Sequence, residues 1–235
     1  MSDNMQEKHA LREQKKQQRK QARSLKGERF YQNAHRLLAK LVLKLFRIRV
    51  IHAEREPAEE NYLLCANHTS AMDAVVIGAA LQKQQPHFMA KKELFKIPLL
   101  RGLMRLLGAF PVDRSGDVGA IRTTMTLLQE GKCVGMFPQG TRCPGRPPMQ
   151  TRDRLKSGAG MLCLRAGVQV LPVCLRSRGD KTRLFRRTEI LIGEPIELSA
   201  FNVAEPSHAA YIRVTEQIFD RICTLYEEPL EKEDA

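Results

Sequence analysis

From residue 62 onward, short apolar runs alternate with segments of helical periodicity, and this alternation constrains the fold more than any other feature of the sequence. The runs that suit buried strands lie at 62–66, 87–90, 133–137, 168–175 and 189–192. Helical patterns lie at 121–130, 156–165 and 207–226. The alternation predicts an α/β fold: a single domain with a mixed, largely parallel central sheet flanked by helices.

Glycine, serine and proline mark the ends of these elements. Gly131 and Gly167 follow helical patterns and predict their C-terminal ends, and Ser207 predicts the start of the last helix. Pro172 interrupts the run at 168–175. Because proline cannot donate a ladder hydrogen bond, it predicts either an edge strand or a bulge there.

Positive charge is concentrated at the N-terminus. The 235 residues have a formal net charge of +13, and residues 1–50 contain 14 Lys or Arg against 4 Asp or Glu, which gives +10. Residues 1–28 are predicted to be a basic arm, either disordered or helical. Residues 29–50 show apolar side chains at helical spacing between cations, which predicts a basic amphipathic helix. Its apolar face either packs on the domain or lies on a membrane surface.

The remaining composition predicts a folded domain at 51–226 and an acidic tail at 227–235. The chain is 43% hydrophobic, which is enough for a core. We expect no signal peptide, because the N-terminus is polar before the first apolar segment begins. We also expect no membrane-spanning helix, because no uncharged run reaches roughly 18 residues. The six cysteines form no C-x-x-C pair, so they are interpreted as buried thiols in a reducing compartment, and no zinc or other metal site is expected.

The candidate catalytic residues are His68 and Asp73, which follow the first predicted strand. An apolar segment at 74–81 comes next, so the chain turns between a strand and a helix here. Side chains five positions apart meet only across such a junction, not within one regular element. A structural alternative stays open, because Ser70-x-x-Asp73 is also a capping-box pattern with Asp73 at position N3.

Four stretches in one order resemble blocks of the glycerolipid acyltransferase family, which includes the lysophosphatidic acid acyltransferases. Asn67-His68-x4-Asp73 is similar to the family's N-H-x4-D block, and residues 108–114, which end in Arg114, are similar to its second block. The stretch Phe137-Pro138-Gln139-Gly140-Thr141-Arg142 is similar to the F-P-E-G-T-R block, and residues 170–173 are similar to the proline block. The resemblance spans about residues 50–195, and Lys156 lies at a similar helix start. This chain departs from the pattern at Gln139, where the family usually has glutamate.

The resemblance implies transfer of a fatty acyl group from an acyl thioester to the free hydroxyl of lysophosphatidic acid, giving phosphatidic acid. His68 would be the general base, and Asp73 would hold its ring. Arg114 and Arg142 would bind the acceptor phosphate, because guanidinium groups suit phosphate oxygens. The further candidates for acceptor binding are Gln139, Gly140, Thr141 and Lys156. No cofactor is expected to be bound, and acyl-CoA or acyl-carrier protein would be the co-substrate.

The expected partners are lysophosphatidic acid, the acyl donor and an anionic membrane surface that residues 1–50 contact. The protein would then be peripheral, at the cytoplasmic face of a membrane. No nucleic acid is expected, because the chain has no aromatic stacking motif or nucleic-acid module. Three alternatives stay open: another acceptor such as glycerol 3-phosphate or a different lyso-lipid, a pseudoenzyme that only binds lipid, and a non-enzymatic basic protein that binds RNA, DNA or membrane.

Overall fold

The computed structural model describes residues 37–98, 101–102, 104, 108–112 and 118–229. The chain divides into two compact units, residues 1–38 and 39–235, and only residues 37 and 38 of the first unit are described. The predictions for the basic arm at 1–28, for residues 29–36 of the amphipathic helix, for Arg114 and for most of the acidic tail lie outside the described residues. Within them, no helix combines the length and the apolar composition that crossing a bilayer requires.

The centre of the described structure is a seven-stranded sheet. Its strands are β1 (Ile48–Ile51), β2 (Tyr62–Ala66), β3 (His87–Lys91), β4 (Phe110–Val112), β5 (Val134–Met136), β6 (Gln169–Ser177) and β7 (Thr188–Ile192). They lie in the order β1-β7-β6-β2-β5-β3-β4. β6 and β7 are antiparallel, and the other neighbouring pairs are parallel. This arrangement confirms the predicted mixed, largely parallel sheet in an α/β domain.

Helices cover the sheet. They are α1 (Asp73–Ala80), α2 (Val118–Gln129), α3 (Gly158–Ala166) and α4 (His208–Glu227). The core on one side joins Leu63 and Cys65 of β2 to residues of α3 and α4. Because successive strand residues point to opposite faces, and all five residues of β2 are buried, both faces of this strand are covered.

The predicted helix ends agree with the structure. Gly131 and Gly167 both have positive φ, which glycine adopts without strain at the end of a helix. Ser207 is the N-cap of α4, and its Oγ accepts a hydrogen bond from the Ala210 N–H at 3.1 Å. Gly160 allows close packing of α3 on α4, because a Cβ atom there would overlap the Tyr211 carbonyl.

The predicted N-terminal helix is wrong at its C-terminal end. Residues 37–45 are helical, but Arg47 has a left-handed φ of 46° and the chain then forms β1, which pairs with β7. The sequence Ile-Arg-Val-Ile, rich in β-branched side chains, suits that strand. Val42 and Phe46 are buried, whereas Leu41 is 52% exposed, so the domain covers only part of the apolar surface.

Pro172 lies in an interior strand, between β7 and β2, so the edge-strand alternative is wrong. The bulge alternative is confirmed. Val173 pairs with Ile192, and Val170 pairs with Ile196. Between these two pairs β6 advances by three residues and the segment after β7 advances by four, so that segment contains one extra residue. Pairing of Pro172 with Cys65 of β2 is regular. On the β7 side regular pairing stops at Val173, and the Pro172 carbonyl accepts the Gly193 N–H at 2.9 Å, so the missing N–H costs no regular ladder bond there.

Candidate active site

His68 and Asp73 meet in the loop between β2 and α1. His68 Nδ1 lies 2.9 Å from Asp73 Oδ2, and the Asp73 side chain is fully buried. The His68 side chain is 16% exposed, so the ring is shielded but not sealed from solvent. The turn between the strand and the helix thus brings together the two side chains that the sequence pairs.

The Asp73 carboxylate is held by backbone as well as by the imidazole. Oδ2 accepts the N–H of Thr69 at 2.6 Å and that of Ser70 at 2.7 Å, and the Thr69 hydroxyl lies 3.3 Å from Oδ1. Asp73 is the first residue of α1, with Met72 as N-cap, so it is at N1 rather than at the N3 position of a capping box. The contact with Ser70 N–H reproduces half of that box, and a carboxylate is favourable at a helix N-terminus.

The hydrogen bonds of Asp73 assign the imidazole tautomer. A carboxylate that already accepts two backbone N–H groups is an acceptor, so Nδ1 of His68 carries the proton and donates to it. Nε2 of the neutral ring then keeps its lone pair. Among the described residues no group forms a hydrogen bond to Nε2, so this nitrogen is available to accept a proton.

The loop after β5 fixes the main chain and the ring of His68. The His68 N–H donates to Gln139 Oε1 at 2.7 Å, and the Cys143 N–H donates to the His68 carbonyl at 2.7 Å. The ring stacks on Phe137 with centroids 3.9 Å apart and an interplanar angle of 9°. The imidazole is therefore positioned by contacts with a segment about seventy residues away in sequence.

The stack continues into the sheet. Phe137 lies 5.7 Å from Phe88 of β3, measured between ring centroids. Gly135 of β5 makes room for Phe88, because a Cβ atom at residue 135 would overlap that ring. Three rings in sequence, Phe88, Phe137 and His68, thus connect the interior of the sheet to the candidate base.

Gln139 is 2% exposed, and both ends of its amide contact protein. Its Oε1 accepts the His68 N–H, and its Nε2 donates to Thr151 Oγ1 at 2.7 Å. The Thr151 hydroxyl in turn donates to the Pro148 carbonyl at 2.7 Å, so it needs a donor on the other side. An amide supplies that donor and a glutamate carboxylate does not. Both ends of the amide thus support the loop that holds His68, and acceptor binding by Gln139 stays a prediction.

The other predicted acceptor ligands lie at the surface of the same loop. Gly140, Thr141, Arg142 and Lys156 are all exposed. Gly140 has a left-handed φ of 64°, and a Cβ atom there would lie 3.3 Å from Lys156 Cγ. Arg142 directly precedes Cys143, which contacts the His68 carbonyl. The structure therefore brings these four residues to the loop that holds the base, and Arg114 lies outside the described residues.

Several supporting residues carry no assigned role in the sequence analysis. Asn67 bonds both backbone groups of Leu175 in β6, accepting from its N–H at 2.7 Å and donating to its carbonyl at 2.9 Å. Thr182 contacts the Thr69 hydroxyl across 113 residues of sequence. Asn67 directly precedes His68, so its place in the sequence could have indicated a role at the site. The sequence around Thr182 contains no such indication.

The cysteines are unsuited to act as nucleophiles here. All six are free and buried, which confirms their interpretation as buried thiols. Burial raises the pKa of the Cys143 thiol, the one in the loop that holds His68, so it is protonated at neutral pH. In the described parts of the chain, no group of three or more His, Cys, Asp or Glu side chains could hold a metal ion.

Comparisons with known proteins give a consistent set of similarities. Residues 47–176 match the family model described as Acyltransferase. The 1-acyl-sn-glycerol-3-phosphate acyltransferase of Bacillus subtilis (strain 168) is 30% identical over 178 residues, which cover 74% of this chain and 86% of the relative. The enzyme with the same name from Escherichia coli (strain K12) is 30% identical over 203 residues, covering 81% and 80%.

A solved structure is similar over most of its length. It is the 1-acyl-sn-glycerophosphate (LPA) acyltransferase PlsC from Thermotoga maritima, with a TM-score of 0.61 and 25% sequence identity. The similarity covers 85% of this chain and 84% of that chain.

Proposed function

Because the chain belongs to the acyltransferase family, whose model matches residues 47–176, we propose that it transfers a fatty acyl group from an acyl thioester to the free hydroxyl of lysophosphatidic acid. The product is phosphatidic acid, and the activity is that of a 1-acylglycerol-3-phosphate O-acyltransferase in phospholipid biosynthesis. The names of the relatives support this acceptor. The observation that carries the chemistry is the 2.9 Å contact between His68 Nδ1 and Asp73 Oδ2, which leaves Nε2 able to accept a proton.

The reaction needs one proton to move twice. Nε2 of His68 removes the proton from the acceptor hydroxyl as that oxygen bonds to the thioester carbonyl carbon. The tetrahedral intermediate then expels the thiolate, the carbon–sulfur bond breaks, and the imidazolium returns the proton to sulfur. Asp73 stabilises the imidazolium between these two transfers without taking its proton. Direct transfer of this kind uses no acyl-enzyme intermediate.

The acceptor phosphate lies, in this proposal, against the exposed part of the loop after β5. Arg142 and Lys156 supply cationic side chains. Gly140 adds a backbone donor, and Thr141 adds a hydroxyl donor. Arg114, at the end of the second resembling block, is proposed as a further phosphate ligand. The donor is acyl-CoA or acyl-carrier protein as co-substrate, and the enzyme works as a peripheral protein at the cytoplasmic face of a membrane.

The test is acyl transfer by the purified protein with several acceptors offered in parallel. Lysophosphatidic acid, glycerol 3-phosphate and lysophosphatidylcholine are each supplied with acyl-CoA and with acyl-carrier protein. We expect acylation of lysophosphatidic acid by the wild type and its loss in His68→Ala. Acylation of only another acceptor would overturn the choice of substrate. The absence of any transfer, together with retained lipid binding, would indicate a non-enzymatic lipid-binding protein.

A further inference from the structure

Residues 181–187, called the basic loop below, combine exposed apolar side chains with a high density of positive charge. The loop precedes β7 and has the sequence Lys-Thr-Arg-Leu-Phe-Arg-Arg, with four cations and no acidic residue. Leu184 is 52% exposed and Phe185 is 69% exposed. Single exposed apolar residues are common on protein surfaces, but two adjacent ones framed by arginines are typical of segments that enter a membrane interface.

The backbone of the basic loop holds Phe185 outward at a cost. Phe185 has a φ of 60°, a left-handed conformation that is rare for a bulky L-residue. Its N–H donates to the Leu45 carbonyl at 2.7 Å, which fixes this conformation against the helical segment 37–45. Leu41 of that segment, one helical turn before Leu45, is 52% exposed, and Lys40 and Lys44 are also exposed. The strained position is thus beside further apolar and cationic side chains.

The basic loop also adjoins the candidate active site. Thr182 is buried, and its N–H and hydroxyl lie 3.4 and 3.3 Å from the hydroxyl of Thr69, the residue after His68. Phe185 is therefore three positions along the chain from Thr182, which contacts the loop that carries the base. A surface that accepts Phe185 would lie close to the place where an acceptor hydroxyl must reach His68.

We propose that the basic loop is a membrane-docking element, in which Leu184 and Phe185 enter the interface of an anionic bilayer while Arg183 and Arg186 bind lipid phosphates. Positive charge complements the negative surface, and the apolar pair distinguishes this surface from a purely electrostatic one. The choice of a bilayer over nucleic acid rests on the proposed function, because the acceptor of that reaction is itself a membrane lipid. The basic loop lies outside residues 1–50 but contacts Leu45, so it would extend the membrane contact predicted for that part of the chain.

The sharpest test places a fluorescent reporter in the loop. The chain contains no tryptophan, so Phe185→Trp introduces a single indole. We expect its emission to shift to shorter wavelength with vesicles of phosphatidylcholine and phosphatidylglycerol, and to be quenched when the phosphatidylcholine is brominated. Ile212→Trp is the matched control, since Ile212 is 40% exposed on α4, and its emission should not change. The proposal would be overturned if the Phe185→Trp protein sedimented with the vesicles while its emission stayed unchanged. Equal quenching in both variants would overturn it as well.

Vesicle sedimentation of the full chain gives the energetic contribution. Leu184→Ser combined with Phe185→Ser should weaken partitioning by about tenfold or more, because two apolar side chains leave the interface. Arg183→Gln and Arg186→Gln should each weaken it about fivefold on anionic vesicles and hardly at all on phosphatidylcholine alone. Equal partitioning of all variants and wild type would overturn the proposal, as would quenching of the introduced indole by single-stranded RNA but not by brominated lipid.

These measurements are independent of catalysis. If the wild type transfers no acyl group but the indole is quenched by lipid, the proposed reaction fails and the docking surface stands. If the double serine variant acylates a short-chain, monomeric acceptor at the wild-type rate but loses activity on vesicles, both proposals are supported. Loss of activity on the monomeric acceptor as well would mean that the loop acts through the fold of the site, and would overturn its assignment to docking.

Discussion

Asp73 is fully buried and accepts three N–H groups, whereas Arg142 and Lys156, which the neighbouring loop brings to the same region, are exposed to solvent. The first region, which holds the base, is braced by backbone hydrogen bonds on both sides of His68 and by the Phe137 ring. The second region is a set of cations on a glycine-containing loop. The two regions are joined at Cys143, yet one is fully packed and the other is open.

The difference corresponds to two physical tasks. Proton transfer depends on distance and angle, so the base must be held rigidly before substrate arrives. Recognition of a phosphate depends on charge, which acts over longer distances and is screened by salt. We therefore expect substitutions in the braced region to lower kcat and substitutions in the open region to raise the KM for the acceptor. Substitutions at His68, Arg142, Gln139 and Lys156 test this division.

The largest expected effect is that of His68→Ala. We expect kcat to fall by roughly 10²- to 10⁴-fold or more, because the general base is lost. The fold should survive, since the loop after β5 bonds the backbone N–H and carbonyl of His68, which alanine retains. Steady-state kinetics and thermal unfolding measure the two quantities. Activity at the wild-type level would remove His68 from the mechanism, and unfolding would show that its ring is structural.

Arg142→Ala tests the open region. The acceptor KM should rise by about 10- to 100-fold with a small change in kcat, as expected for a lost hydrogen bond to a charged group. Arg142→Lys keeps the charge and should recover part of the affinity. A fall in kcat with unchanged KM would instead mean that Arg142 stabilises the transition state. The assignment of kcat effects to one region and KM effects to the other would then be wrong.

Gln139→Glu tests whether residue 139 belongs to the braced region. We expect kcat to fall about tenfold and unfolding to become easier by about 1–3 kcal/mol, because Thr151 loses its donor and a carboxylate is buried. The acceptor KM should not change. Gln150→Glu is the matched control, since it makes the same chemical change at the exposed position before Thr151, and it should behave like the wild type. A selective rise in KM for Gln139→Glu would instead indicate acceptor binding by this residue.

Lys156→Gln should give the smallest effect. An exposed ammonium group contributes up to about 1 kcal/mol, so the acceptor KM should rise by no more than about fivefold. The difference from wild type should shrink as salt is added. Lys132→Gln removes another exposed charge just before β5, at the opposite end of that strand from the site, and should leave the KM unchanged. An effect that persists at high salt would mean that Lys156 forms a buried contact with substrate.

The sequence predicted elements correctly where every residue of a segment is apolar and buried. The run at 62–66 became β2 with the same bounds, because every residue in it is covered. The pairing of His68 with Asp73 was predictable because the strand, turn and helix that join them are consecutive in sequence. In the N-terminal helix the same reasoning failed at residues 48–50, where apolar spacing fits both periodicities and pairing with β7 decides for a strand.

What could not be predicted are contacts between distant segments. Gln139 looks like an acceptor ligand by its place in a motif, and only the fold shows that its amide is used between His68 and Thr151. Thr182 has no local signal at all, because its partner is 113 residues away. Pro172 carried a correct warning of irregular pairing, but the extra residue that resolves it lies on the neighbouring chain segment.

The row of rings from Phe88 through Phe137 to His68 has a consequence for how activity can be altered from a distance. A methyl group added at Gly135 has no room, because it would overlap the ring of Phe88. Gly135→Ala would displace Phe88, and the displacement would reach the imidazole through two stacked rings. Residue 135 is thus a steric control on the alignment of the base, at a buried position in the middle of β5.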